Sequence, residues 1–207
     1  MSARPDIHER VLTSNSTDDL MAIYKDWASR YDHDLAQDWG YPAPALAVQH
    51  LMRVLPSVDA RVLDAGCGTG LVGQLLHAQG VLDLHGLDFS ADMLAQAQRK
   101  GIYRSLLQAD LNQPLALDDG GFDAVISVGT FTSAHVKPQA LNALVRVVRA
   151  GGWLAFTVRD TYWDETRFDQ GIVALASGGR VRIHEWRSEP YIEQEQSSCK
   201  LLVLEVL

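Results

Sequence analysis

The chain has 207 residues, 47% hydrophobic and 21% charged, with a formal net charge of −8, the makeup of one globular domain large enough for a full core. No lysine or arginine run offers a phosphate footprint, which argues against a nucleic-acid partner. The strongest basic cluster, Arg180-Val-Arg182, is expected to be a solvated strand face. Two cysteines, Cys67 and Cys199, do not make a disulfide framework and are expected as reduced thiols in a cytoplasmic protein. No apolar run reaches membrane-spanning length, no secretory signal is expected from the polar Met1-Ser-Ala-Arg-Pro, and no His/Cys cluster has zinc spacing.

Residues 1–15 read as a polar lead-in. Ser16-Thr-Asp-Asp19 has the form of a capping box. From there Leu20, Ile23, Tyr24, Trp27, Tyr31 and Leu35 recur at three- and four-residue steps, one face of a single helix. A loop over 39–44 precedes a second helix carrying Leu46, Leu51 and Leu55, which ends before Pro56. From Arg61 strand and helix alternate, the pattern of a parallel sheet covered on both faces. Strands are predicted near 61–65, 83–88, 104–108, 122–128 and 152–158, and helices near 70–79, 91–100 and 138–149. Gly151 is expected as a left-handed cap on the last of these, and a further helix is predicted over 164–177. The tail alternates at 180–187 and is densely apolar at 200–207, with no helix between, so an antiparallel pair is expected. The chain therefore divides into a lead-in (1–15), a helical segment (16–56) and an α/β core (57–207) within one domain.

The chemistry concentrates at Val62-Leu-Asp-Ala-Gly-Cys-Gly-Thr-Gly70, a buried strand that ends in an acid and breaks into a glycine turn before a helix. Three alternating glycines cost backbone entropy without packing anything, so Gly66, Gly68 and Gly70 point to a ligand approached closely by the backbone. A second strand ends in Asp88, where a carboxylate can take both hydroxyls of a ribose. The glycine frame is ambiguous, because Gly68-Thr-Gly70-Leu-Val-Gly73 formally matches the dinucleotide fingerprint. The first glycine after the strand is Gly66, however, and Asp64 at the strand tip would repel a pyrophosphate. That acid suits a cofactor with a cationic ammonium or sulfonium, such as S-adenosylmethionine, which Asp64 would face. Phe89 and Met93 would flank an adenine ring, and Asp110 and the Leu111 backbone would meet its polar edge.

The run Asp64-Ala-Gly-Cys67-Gly-Thr-Gly70 resembles the glycine motif of class I S-adenosylmethionine-dependent methyltransferases. Asp88 stands where that family places its ribose-binding acid, and Ala109-Asp110-Leu111 is similar to its adenine-contacting segment. Tyr24-x-x-Trp-Ala-x-x-Tyr31-Asp, Trp39-Gly-Tyr-x-Ala-Pro44 and Ser127-Val128-Gly-Thr-Phe131 most resemble the Williams-Beuren critical-region methyltransferase-like group. The resemblance implies a seven-stranded, mostly parallel sheet with an antiparallel C-terminal hairpin and an N-terminal helical lid. It also implies that Tyr24 and Tyr31 cover the cofactor. Trp27 is read as core and His33 as helix surface. Val128 and the segment to His135 would lie beside the transferring methyl group, with His135 as general base if the acceptor is a hydroxyl. Tyr41, Asp160 and Tyr162 are weaker candidates for the acceptor pocket. The expectation is methyl transfer to a small-molecule acceptor by a monomer or weak dimer, with S-adenosylhomocysteine as product and no metal. Two alternatives stand beside it: a non-catalytic S-adenosylmethionine-binding module, and an NAD-dependent oxidoreductase.

Overall fold

A computed structural model of the chain describes residues 7, 10–11, 14, 17–28, 30–132 and 136–207. Helix α1 is Thr17–Trp27, and α2 is a single turn, Tyr31–His33, that runs into a π-helix, Asp34–Trp39. Helix α3 is Ala43–Val54. Then β1 (Val62–Ala65), α4 (Leu71–Ala78), β2 (Leu84–Asp88), α5 (Ala91–Arg99), β3 (Ser105–Gln108) and β4 (Phe122–Phe131) follow in order. The chain continues with α6 (Ala140–Val147), β5 (Val148–Arg159), α7 (Asp160–Thr166), α8 (Phe168–Ser177), β6 (Val181–Ile192) and β7 (Ser197–Val206).

The seven strands form one sheet in the order β3-β2-β1-β4-β5-β7-β6. Strands β1 to β5 pair in parallel, while β7 runs antiparallel between β5 and β6. All four residues of β1 are buried, as a central parallel strand covered on both faces must be. One core lies between the sheet and α6 to α8, around Leu63, Leu144, Phe156 and Phe168. The other lies under α1, α3 and α4, around Trp27, Leu51, Leu76 and Val203. The parallel strands all point their C-terminal ends toward one edge of the molecule, where open α/β sheets bind ligands.

Four local expectations need correction. The first helix does not continue to Leu35. It stops at Trp27, whose indole Nε1 donates to Asp34 Oδ2 at 2.8 Å and whose ring packs 5.1 Å from Trp39. That closure winds Asp34–Trp39 into a π-helix. Its end docks on the β6–β7 turn, where Glu193 and Gln194 N–H groups donate to the carbonyls of Gly40 and Trp39. Gly151 caps no helix. Val148 pairs with Phe122 at once, and the left-handed Gly151 (φ 73°) sits in a bulge before Trp153 pairs with Ala124. Strand β4 runs on past Ser127 to Phe131, which pairs with Val158. The helix expected at 164–177 is two helices, broken where Arg167 adopts φ 50°. The capping serine, Ser16, lies outside the described residues.

Candidate active site

The glycine loop after β1 is left-handed at alternate residues, with φ of 75° at Gly66, 53° at Gly68 and 89° at Gly70, a path open to glycine at little steric cost. A Cβ on Gly66 would collide with the Thr130 hydroxyl, whereas at Gly68 it would meet nothing within 4 Å and stand in open space. The loop is bound to β2: Gly66 and Cys67 N–H both donate to the Leu87 carbonyl, at 2.8 and 2.9 Å. Asp88 clamps it from the strand tip. Its Oδ2 accepts from Gly68 N–H and its Oδ1 from Ser90 N–H, each at 2.8 Å. Ser90, not Asp88, caps α5, its hydroxyl accepting from Met93 N–H at 3.3 Å. Burial holds the Asp88 carboxyl above the usual range, and the Ser90 and Gly68 amides oppose that rise.

These groups surround a cavity of about 160 Å³. Gly66 and Gly68 form one side; Asp88, Phe89 and Met93 form a second; Asp110 and Leu111 a third; Val128 and Tyr31 complete it among the expected residues. Eight more line it, among them Met21, Asn112, Gly129, Thr130 and Thr132. Met21 was detectable as a helix position three residues before Tyr24. Gly129, Thr130 and Thr132 belong to the segment from Val128 to His135 that was expected beside the methyl group, the first two at the end of β4, and Asn112 follows Asp110 in the turn after β3.

Other expected residues stand elsewhere. Asp64 does not reach the cavity wall. It is 0% exposed, its Oδ2 accepts from the Tyr103 hydroxyl at 2.6 Å, and its Oδ1 has no hydrogen-bond partner among the described residues. Desolvation lifts its carboxyl to about 7, against the pull of the Tyr103 hydrogen bond and with a push from Asp88. Cys67 is buried behind the loop, with its thiol pushed up by burial. Gly70 starts α4 and backs onto the Tyr103 ring. Tyr24 lies on α1, but its side chain is outside the described residues, as is His135 altogether. Trp27 is core at 2% exposure and His33 is exposed, as the pattern implied. Tyr162 is core rather than pocket, its hydroxyl donating to the Val136 carbonyl at 2.7 Å. Asp160 is held by Lys200 and Ser198 at the start of α7. Tyr41 lines a smaller neighbouring cavity.

Asp32 is a contact residue that composition and spacing did not reveal. It accepts from the Thr69 hydroxyl inside the glycine loop and from Lys100 Nζ, the latter at 2.6 Å, so it fastens the N-terminal helices to the loop. Among the described residues no three His, Cys, Asp or Glu side chains gather as metal ligands. No described helix is long and apolar enough to cross a membrane.

Residues 63–156, from β1 into β5, match the family model described as "Methyltransferase domain". The chain carries a class I methyltransferase domain. It is 41% identical over 161 residues to human methyltransferase-like protein 27, across 75% of this chain and 65% of that protein, which agrees with the resemblance to the Williams-Beuren group. It is 39% identical over 108 residues to malonyl-[acyl-carrier protein] O-methyltransferase of Enterobacter lignolyticus, across 52% of this chain and 42% of that one. The chain thus spans less than two thirds of the length of these relatives. Among solved structures, the geranyl diphosphate C-methyltransferase of Streptomyces coelicolor A3(2), in complex with S-adenosyl-L-homocysteine, superposes with a TM-score of 0.60 at 16% identity, covering 79% of this chain and 76% of that one. The [4+2]-cyclase SpnF superposes at 0.72 with 16% identity, over 92% and 96%. Those two likenesses establish the fold of the methyltransferase domain and nothing about its acceptor.

Proposed function

We propose that this protein transfers the methyl group of S-adenosylmethionine to a small-molecule acceptor. One observation carries the reading: the cavity in which left-handed Gly66 and Gly68 face Asp88 and Asp110 at the strand tips. The residues present fit the cofactor. Gly68 leaves open the space that any side chain would fill, and Asp88 and Asp110 line the cavity as acceptors for hydroxyl and amino groups. Gly66 and Gly68 would hold the methionine portion by their backbone, Asp88 the ribose hydroxyls, and Asp110 with Leu111 the adenine edge. Phe89 and Met93 would hold the flat ring, and Tyr24 and Tyr31 would close over the site from the N-terminal helices.

Bound S-adenosylmethionine supplies an electrophilic methyl group, displaced in line with a neutral thioether as leaving group. The residues of this chain then need only align the two reactants and exclude water, which supplies up to about 7–11 kcal/mol of barrier lowering. For a hydroxyl acceptor, His135 is the general base we assign. The sheet favours this reading over a dinucleotide site, because the strand next to β5 is antiparallel β7, where a doubly wound nucleotide fold continues in parallel.

Thermal unfolding with S-adenosylmethionine, S-adenosylhomocysteine and NAD in parallel tests it. A ligand at about 100 times its dissociation constant adds about 2.7 kcal/mol, a rise of roughly 5–11 °C for a domain of this size. The two adenosyl ligands are expected to give that rise and NAD none. A rise with NAD alone would transfer the site to a hydride carrier.

A further inference from the structure

A smaller cavity of about 40 Å³ adjoins the first, and Tyr31, Gly129 and Thr132 line both. Its remaining walls are mainly aromatic, with Trp27, Trp39, Tyr41 and Tyr191. The Tyr41 hydroxyl donates to that of Tyr191 at 3.4 Å, and burial raises both phenols, Tyr191 to about 12, so both stay neutral. One cation enters this apolar setting. Arg159, the last residue of β5, lines the cavity with its side chain 12% exposed. Its Nη2 donates to Glu195 Oε2 at 3.0 Å, and its guanidinium carbon lies 6.0 Å from the centre of the Tyr191 ring. Its Nε is buried and has no hydrogen-bond partner among the described residues.

A buried N–H without an acceptor loses its hydration for nothing, so such groups are rare unless a ligand completes them. A guanidinium presents its donors in a planar fork that matches two carboxylate oxygens. We propose that this cavity is the acceptor subsite, and that the acceptor is held there by a carboxylate on Arg159 with its apolar body against Tyr31, Tyr41 and Tyr191. The proposal rests on the methyl-transfer reading and names its substrate class. Charge favours a carboxylate over a phosphate, because a second negative charge would stand beside Glu195. The Tyr31 and Gly129 walls common to both cavities would bring such an acceptor next to the cofactor.

The test is calorimetric titration of the protein saturated with S-adenosylhomocysteine, at constant ionic strength. The probes are phenylacetate and butyrate, each beside its amide, and phenyl phosphate. Carboxylates are expected to bind at least tenfold more tightly than their amides, and phenylacetate more tightly than phenyl phosphate. Arg159→Gln is expected to lose carboxylate binding at least tenfold, and Arg159→Lys to recover part of it. Arg159 does not line the larger cavity, so Arg159→Gln should bind S-adenosylhomocysteine as the unaltered protein does. Should that variant fail to fold, the acid–amide comparison in the unaltered protein decides. Equal binding of acid and amide, tighter binding of phenyl phosphate, undiminished binding by Arg159→Gln, or no heat with either carboxylate overturns the proposal. Failure of the unaltered protein to bind S-adenosylhomocysteine overturns the methyl-transfer reading instead.

Discussion

Two carboxylates at the ends of neighbouring strands, Asp64 and Asp88, meet at one loop, and they do different things. Asp88 holds the loop through two backbone N–H groups and faces the cavity. A hydrogen bond to a charged group is worth about 1.5–3 kcal/mol, so Asp88→Ala should weaken S-adenosylmethionine binding roughly 10- to 100-fold. A binding titration beside circular dichroism would separate loss of affinity from loss of fold. Asp64 is the buried partner of Tyr103, with its carboxyl lifted to about 7. A carboxyl raised in the folded state binds a proton where the unfolded chain has lost it, so its stabilisation is complete below about pH 4. That contribution falls away as pH rises from about 4 to 7. Urea midpoints at pH 4, 5.5 and 7 should therefore decline less in Asp64→Asn than in the unaltered protein. An equal decline would place the titration at another group. If the ionised Asp64 meets the cofactor's ammonium, affinity for S-adenosylmethionine should rise through pH 7, and that rise too should vanish in Asp64→Asn.

Helix α4 and strand β2 enclose Tyr103 with two glycines. A Cβ on Gly73 would overlap the Tyr103 hydroxyl, and one on Gly86 would come within 2.7 Å of Leu106 and 3.2 Å of the Tyr103 ring. Gly73 completes the formal dinucleotide fingerprint in the sequence, yet its place in the fold is to let a tyrosine reach Asp64. Gly73→Ala should cost about 1–3 kcal/mol as overpacking. Tyr103→Ala removes the hydroxyl and both ring carbons that such a Cβ would meet, so the double variant should be less destabilised than the sum of the two single ones, a coupling that denaturant melts of all four proteins would measure. Additive losses would show that Gly73 serves the backbone alone. At this scale the alternation of strands and helices was readable because buried strands and amphipathic helices carry their own periods. The π-helix was not, because it is wound by Trp27 reaching Asp34 and by the β6–β7 turn 150 residues away along the chain, contacts with no local signature.

The whole molecule is a sheet whose parallel half makes the cofactor cavity and whose antiparallel half supplies a wall of the second. Strand β7 lies between β5 and β6, and Leu202 on it is 0% exposed opposite Phe156. Leu202→Ala should cost about 2–5 kcal/mol, visible as a lower denaturation midpoint. A smaller loss would mean that the hairpin packs loosely on the sheet. Residue order alone specified the strand and helix alternation, the glycine loop and the acid of β2, because each depends on neighbours within about twenty residues: a burial period, a left-handed turn, a strand tip. Tertiary structure alone decided that Asp64 turns to Tyr103, that Asp32 fastens the N-terminal helices to Thr69 and Lys100, and that Arg159 shares a cavity with Tyr41 and Tyr191. Those partners are far apart along the chain, and only the crossing of the sheet brings them together. A buried polar group takes whichever partner the packing presents, and no local pattern names that partner in advance.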